Sequence, residues 1–339
     1  MLLPTTYSAA LMLMILSMLC WGSWANTFKL AKNWRFELFY FDYTFGVLIA
    51  ALIAALTFGS MGDDLSFQDN LLIAGKRNMA FAVVAGGVFN LANMLLVAAI
   101  SLAGLAVAFP VGIGLALVIG VVWNFILRPQ GNPLFLFGGA LLVVGAIIVD
   151  ALAYRAKFEA EDEVKPGFSL KGLILALVSG VLMGSFYPLV EMSRESEIGL
   201  GPYAVAVFFA IGVFLSTFVF NVYFMNLPVQ GEPIGFFDYF KGSAKYHLLG
   251  LLGGIIWCTG AIANFVASTS TVPVGPAVTY AMGQGATMIS ALWGVFVWRE
   301  FSGSEGRVKL LLALMFLLFA SGLGLISVAP LYVSATGGR

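Results

Sequence analysis

Ten apolar stretches run through the chain, separated by short polar breaks: roughly 7–28, 41–60, 79–100, 104–127, 133–153, 170–191, 203–226, 247–267, 274–298 and 309–331. A helix that crosses the hydrocarbon core of a bilayer needs roughly 20 such residues. The stretches lack the alternation of apolar and polar positions that barrel strands require. A backbone surrounded by lipid must satisfy its own hydrogen bonds, so stretches of this length predict transmembrane helices. No basic residues precede the first stretch, which predicts a retained helix and not a cleaved leader. The expected fold is all-α and integral to the membrane, with ten spans.

The most polar connection, Tyr154 to Lys171, lies mid-chain between stretches five and six. It divides the chain into a first five-helix unit (1–153), a polar linker (154–170) and a second five-helix unit (171–339). The units share features in the same order. Ser17, Gly22, Ser23 and Trp24 correspond to Ser179, Gly184, Ser185 and Phe186 at an offset of 162. Gly86-Gly87 corresponds to Gly253-Gly254 at 167, and Trp123 to Trp293 at 170. Ordered matches at similar offsets indicate duplication. Five is an odd number of crossings, so the second copy enters the membrane upside down, the inverted repeat that places a site at the repeat interface near the midplane. Twelve basic residues, among them Lys29, Arg35, Arg155, Lys171 and Lys241, fall on the linker's side, against five on the other. That imbalance predicts a cytoplasmic linker and both termini outside a plasma (inner) membrane.

Composition sharpens this picture. Hydrophobic residues make up 60% of the chain and charged residues 10%, with a mean hydropathy of +0.97. A soluble domain carries about 25% charged residues, so the apolar excess here must face lipid. The 17 basic and 17 acidic residues cancel, which excludes nucleic acid as a partner. Cys20 and Cys258 both lie in apolar stretches and read as small packing residues, not as a disulfide. No His, Cys, Asp and Glu cluster has metal-ligand spacing and no phosphate-binding GxxxxGK[ST] loop exists, so no metal or cofactor is expected. The only histidine, His247, stands at the mouth of stretch eight, where a solvated helix end is the plain reading. It has no evident partner in the sequence, and enzyme chemistry is not expected.

The cores of the ten stretches hold no Asp, Glu, Lys or Arg; Asp42, Asp150 and Glu191 are the nearest acids, at helix ends. Asp42 lies in Phe39-Tyr40-Phe41-Asp42-Tyr43, an aromatic setting that desolvates a carboxylate and suits it to carry a coupling proton. The uncharged polar residues concentrate on stretches one, three, four, eight and nine. Trp21, Trp24, Asn26, Asn90, Asn93, Trp123, Asn264, Tyr280 and Gln284 are the candidate substrate-binding set. Amides in lipid need partners, and some of these join neighbouring helices, worth about 0.6 kcal/mol on average. A pocket of amides, hydroxyls and indoles suits a small neutral solute rich in donors and acceptors, with indoles stacking on an apolar ring face. Pro110, Pro188 and Pro273 interrupt apolar runs, and a break at Pro110 would free carbonyls toward a cavity.

The stretch Cys20-Trp21-Gly22-Ser23-Trp24-Ala25-Asn26-Thr27-Phe28-Lys29-Leu30 resembles the first helix of the bacterial glucose/ribose porter family. Gly283-Gln284, Ile289-Ser290-Ala291-Leu292-Trp293-Gly294-Val295-Phe296 and Arg299-Glu300 resemble its ninth helix, and Phe41-Asp42-Tyr43 resembles a signature of the plant ureide permeases. All belong to the drug/metabolite transporter superfamily, with the L-rhamnose–proton symporters. The resemblance implies ten helices in an inverted repeat and proton-driven movement of sugars or ureides, with Trp21, Asn26, Asp42 and Gln284 at family motif positions. The nucleotide-binding-like motif in the central loop of the plant permeases is missing here. A ureide or purine-derived solute is favoured over a sugar by the setting of Asp42. Export of a metabolite or drug is a further reading, and a non-transporting membrane sensor is the alternative of another class.

Overall fold

The computed structural model describes residues 1–62, 65–160, 169–229, 231–272, 274–304 and 306–332, and no strand occurs among them. The helices are α1 (Tyr7–Ser23), α2 (Ala25–Leu30), α3 (Phe36–Leu56), α4 (Phe67–Ile73), α5 (Lys76–Ala103), α6 (Leu105–Leu127), α7 (Pro133–Ala160), α8 (Leu170–Ser193), α9 (Pro202–Asn226), α10 (Ala244–Ser268), α11 (Pro276–Gly283), α12 (Ala286–Leu292) and α13 (Gly306–Val328). Among the described residues, nine helical runs are long and apolar enough to cross a membrane, the first joining α1 and α2. The chain is an all-α integral membrane protein.

The stretch 274–298 differs from the rest. It is helical in three pieces: α11, α12 and a π-turn, Trp293–Val297. Glycines flank Gln284 on both sides, and glycine is about 1 kcal/mol worse than alanine inside a helix. The ladder there shortens to three-residue bonds, from Gly285 N to the Met282 carbonyl (3.0 Å) and from Thr287 N to the Gln284 carbonyl (3.2 Å). Proline behaves otherwise than expected. α6 passes through Pro110 without interruption, and the chain turns instead at Gly104, whose φ of +77° suits only glycine well. α7 runs on to Ala160, so residues 154–160 of the expected linker are helical. Pro273, Lys165 and Arg339 lie outside the described residues.

The bundle has two faces. At the terminal face, Leu2 N donates to the Phe58 carbonyl (2.9 Å) and Asn132 N to the Ala329 carbonyl (2.8 Å). The linker face, where α7 ends and α8 begins, holds the contacts of Lys29 and Tyr154 with Glu300. Between them α1 packs on α10 as α8 packs on α5, and α3 packs on α10 as α9 packs on α5. The α6–α8 contact has its counterpart in α1 against α11 and α12, while α3 meets α9 and α7 meets α13.

Close approach of backbones repeats the same way. A Cβ on Gly254 would lie 1.9 Å from the Tyr43 carbonyl oxygen, and one on Gly86 would lie 2.1 Å from that of Phe209. The two glycines are 168 apart in sequence and the two carbonyls 166 apart, with the halves exchanged. In membrane bundles such small residues let helices touch and gain dispersion contacts. Substituting Val for Gly254 or Gly86 is therefore expected to lower the melting temperature of the detergent-solubilised protein, by at least the typical overpacking cost of about 1–3 kcal/mol. Gly138→Ala is the control, because its Cβ meets nothing within 4 Å. Equal midpoints for all three variants would contradict this account of the packing.

Candidate functional site

Aromatic rings fill the middle of the bundle. Trp21 of α1 stacks on Trp257 of α10 (centroids 5.9 Å apart), and Trp24 lies 4.8 Å from Tyr43 of α3. Tyr43 in turn stacks on Tyr40 at 5.0 Å, and Trp257 meets Phe89 of α5 at 4.6 Å. The Trp21 indole donates to the Trp257 carbonyl (3.2 Å). It is seated between Gly260 and Gly283, where a Cβ would come within 2.8 Å and 2.5 Å of its ring. Two helices thus give up side chains to admit one indole.

The candidate polar residues divide according to what they already bind. Asn90 is fully buried, and its carbonyl accepts from the Tyr40 hydroxyl (2.8 Å). Its amide donates to the Val213 carbonyl, Ser216 and Thr217 at 3.2, 2.8 and 3.0 Å. Asn264 is equally buried: it accepts from Tyr187 (2.7 Å) and donates to the Thr279 carbonyl (2.9 Å) and Ser17 (3.2 Å). The Tyr280 hydroxyl donates to the Ala116 and Met183 carbonyls at 3.0 and 3.3 Å. Asn26 accepts from the Trp298 indole (2.6 Å) and donates to the Ser23 carbonyl (2.9 Å), tying α2 to the end of the broken stretch. These four residues are engaged in holding helices together. Trp123 is 38% exposed and is not among the rings of the central cluster.

Trp21 and Trp24 belong to that cluster, while Asn93 bonds its member Tyr40 and Gln284 follows Gly283, which seats Trp21. Asn93 donates to Tyr40 (3.1 Å), and its carbonyl oxygen makes no hydrogen bond to a described residue. Gln284 stands half-buried at the break, next to the glycine that seats Trp21, and its amide makes none either. The buried Tyr43 hydroxyl is also without a partner among described residues. Nothing local in the sequence singles out Tyr43 for this; only packing leaves it unsatisfied.

The two faces are closed differently. At the terminal face Glu191 is 1% exposed and accepts from Arg194 Nη1 (2.7 Å), with Arg128 Nε at 3.5 Å. Arg194 also donates to Ser268 (2.6 Å) and Thr269, so the ends of α6, α8 and α10 are clamped together. At the linker face a cavity of about 180 Å³ opens, lined by Arg35, Phe36 and Glu37 beside Met94, Val97 and Ser101. Its lining includes Met94, next to Asn93 in the chain, and Phe36, whose ring meets that of Tyr40 at 5.1 Å. Beside it, Glu300 binds Lys29 and accepts from the Tyr154 hydroxyl (2.8 Å). Burial pushes the Glu300 carboxyl up, but hydrogen bonds from Lys29 and Tyr154 outweigh it and hold the group below its ordinary range.

Asp42 is 7% exposed and has two partners. His247 Nδ1 lies 2.8 Å from one carboxylate oxygen, and the Tyr239 hydroxyl donates to the other. Burial, and then the hydrogen bond to Asp42, raise the Tyr239 phenol above the ordinary tyrosine range, so it serves as a neutral donor. The expectation of a solvated, partnerless His247 is corrected here. The two residues are 205 positions apart, and no sequence spacing connects them.

The family model described as "Sugar transport protein" matches residues 11–326. The chain is 23% identical to ureide permease 2 of Arabidopsis thaliana, over 96% of this chain and 98% of that one. It is 22% identical to the glucose uptake protein GlcU of Bacillus subtilis, over 83% of this chain and 87% of that one. One solved crystal structure, 19% identical, superposes with a TM-score of 0.63 over 97% of this chain and 99% of its own, a likeness of fold alone.

Two stability outcomes follow from the closures. Glu191→Ala leaves Arg194 buried without its anion and is expected to cost about 3–5 kcal/mol, whereas the exposed Lys29–Glu300 pair contributes roughly 0–1 kcal/mol. Thermal midpoints of Glu191→Ala and Lys29→Ala compare them, and equal losses would contradict the assignment. Because Glu300 is depressed in the folded state, its contribution is complete above the unfolded carboxylate value of about 4.3 and fades as the pH falls through the lower folded one. The midpoint difference between wild type and Glu300→Gln should therefore shrink only on acidification below that value.

Proposed function

This chain belongs to the sugar transport protein family, and from that premise we propose that it is a secondary active transporter moving a small neutral polar metabolite, a ureide or purine-derived compound, by proton-coupled alternating access. Membrane transport of a small metabolite, and not enzymatic turnover, is what the family and the relatives share. The observation that carries the finer reading is Gln284: an unbonded amide at a break in an otherwise helical stretch, beside an indole seated on glycine. Discontinuous helices present backbone and side-chain polar groups to a solute at the repeat interface. The Asn93 carbonyl and the Tyr43 hydroxyl add an acceptor and a donor. The indoles of Trp21 and Trp24 supply apolar faces for a planar ring.

Ten spans in two inverted repeats, 1–153 and 171–339 about the linker 154–170, are supported by the exchanged helix contacts and by the paired glycines. In this reading the linker is cytoplasmic, both termini lie outside the plasma membrane, and the cavity beside Arg35 faces the cytoplasm while the clamp at Glu191 closes the outside. Asp42 is the coupling residue. A sugar is the second reading, favoured by the likeness to GlcU.

Thermal shifts of the purified protein with allantoin, uracil, xanthine, glucose and ribose test this, since a ligand that binds only the folded state stabilises it by RT ln(1 + [L]/Kd). Gln284→Ala is expected to weaken the stabilising solute about 2–10-fold, the worth of one net hydrogen bond. Trp21→Ala should weaken it further, and Trp123→Ala should leave it unchanged. Unaltered affinity in both Gln284→Ala and Trp21→Ala would remove the pocket from the mechanism, and stabilisation by lipophilic cations alone would overturn the neutral-solute reading.

A further inference from the structure

Each other ion pair between described residues joins a carboxylate to Lys or Arg: Glu300 to Lys29, Glu37 to Arg35, Glu191 to Arg194 and Arg128, Glu159 to Arg155, and Asp238 to Lys241. Those cations keep their charge across the physiological range. Asp42 is the exception, because its ionic partner is His247, a group charged only when protonated. The pair is also placed between the halves, with the carboxylate on α3 and the imidazole on α10.

We propose that Asp42 and His247 together form the site that binds the coupling proton, one residue from each half. The inference rests on the transporter reading above and names the second half of its coupling site. In the proton-free state the neutral imidazole donates Nδ1–H to the Asp42 carboxylate, and the pair carries one negative charge. A proton arriving at the outer ring nitrogen, Nε2, converts the pair to carboxylate and imidazolium with no net charge. No other bond changes, and release on the opposite side restores the first state. His247 is within reach of a proton from solvent, since its side chain is 26% exposed at the linker face, with Nε2 against Gly242. Asp42 is held close: a Cβ on Gly250 would lie 2.5 Å from its own Cβ, so α3 and α10 are nearly in backbone contact at this level. Tyr239 fixes the second oxygen from the short helix Phe236–Lys241.

The ionisable groups on the neighbouring elements are engaged elsewhere or face solvent. Glu37, below Asp42 on α3, binds Arg35. Asp238 and Lys241, flanking Tyr239, bind each other. Lys29 of α2 binds Glu300, Lys245 of α10 is exposed, and Tyr246 stacks on Trp34. The pair is therefore positioned to respond to pH without a permanent charge holding it in one state. It is also wired to the pocket. The residue after Asp42 is Tyr43, which touches Trp24, and ten positions beyond His247 on α10 lies Trp257, which stacks on Trp21. A change in the attraction between α3 and α10 is delivered directly to the rings around the solute.

The test uses the full chain in proteoliposomes, with radiolabelled allantoin and radiolabelled glucose as the probes. Two assays are compared: exchange of solute at equal pH on both sides, which needs no net proton movement, and accumulation driven by an imposed proton gradient. His247→Gln keeps a neutral donor toward Asp42, and Asp42→Asn removes the charge. Both are expected to retain exchange, which also shows that they fold, and to lose the increment in accumulation that the gradient gives the wild type. Gradient-driven accumulation that survives in His247→Gln overturns the shared site while leaving transport intact. Wild-type protein that exchanges neither solute brings down the ureide and sugar readings first, and this inference with them.

Discussion

Polar groups inside this bundle depend on partners inside the bundle. Lipid offers none, and an unbonded amide or hydroxyl in an apolar medium costs several kcal/mol. That constraint sorts the interior. Asn90 sits where three helices meet and Asn264 where four do, α1 being the fourth, and each is saturated by side chains and carbonyls from its neighbours. They fix the angles at which α3, α5 and α9, and α8, α10 and α11, come together. Gln284, Asn93 and Tyr43 are left with unused hydrogen-bonding capacity: Tyr43 meets Trp24, Asn93 bonds Tyr40, and Gln284 follows the glycine that seats Trp21.

The helices were legible because length and apolarity alone decide them in a membrane. The break in stretch nine was visible only as Gly283-Gln284-Gly285, a local weakness that composition suggests and packing completes. Asn90 and Asn93, three residues apart on one helix face, could not be told apart from sequence. What distinguishes them is Ser216 and Thr217 on α9, more than 120 positions away, which claim Asn90 and leave Asn93 half free. The burial of Asp42 was readable from its aromatic neighbours. His247 was not, because its partner comes from the other half of the chain. Pro110 misled in the opposite sense: the strongest local helix breaker lies inside an intact helix, since the turn is made at Gly104.

The sequence matches at offsets of 162, 167 and 170 show the same division. The reason for two of them lies in the packing. Gly22 and Gly184 each admit a neighbouring backbone, at Ala286 and Ala116 respectively, and Gly86 and Gly254 do so at Phe209 and Tyr43. Glycine persists at these points because two main chains meet there. Trp123 and Trp293, matched in sequence, differ in surroundings: Trp293 donates to Ser23 (2.9 Å), while Trp123 stands partly exposed outside the ring cluster.

The clamp of Glu191, Arg194 and Arg128 at the terminal face has a consequence for how tightly the barrier seals. Fully closed, its charges bind one another; fully open, water would hydrate them. Halfway, they have left their partners and not yet met solvent, and a buried unpaired charge is far costlier than either end state. Small displacements of α8 are therefore resisted, and the ends of α6, α8 and α10 hold together as one unit.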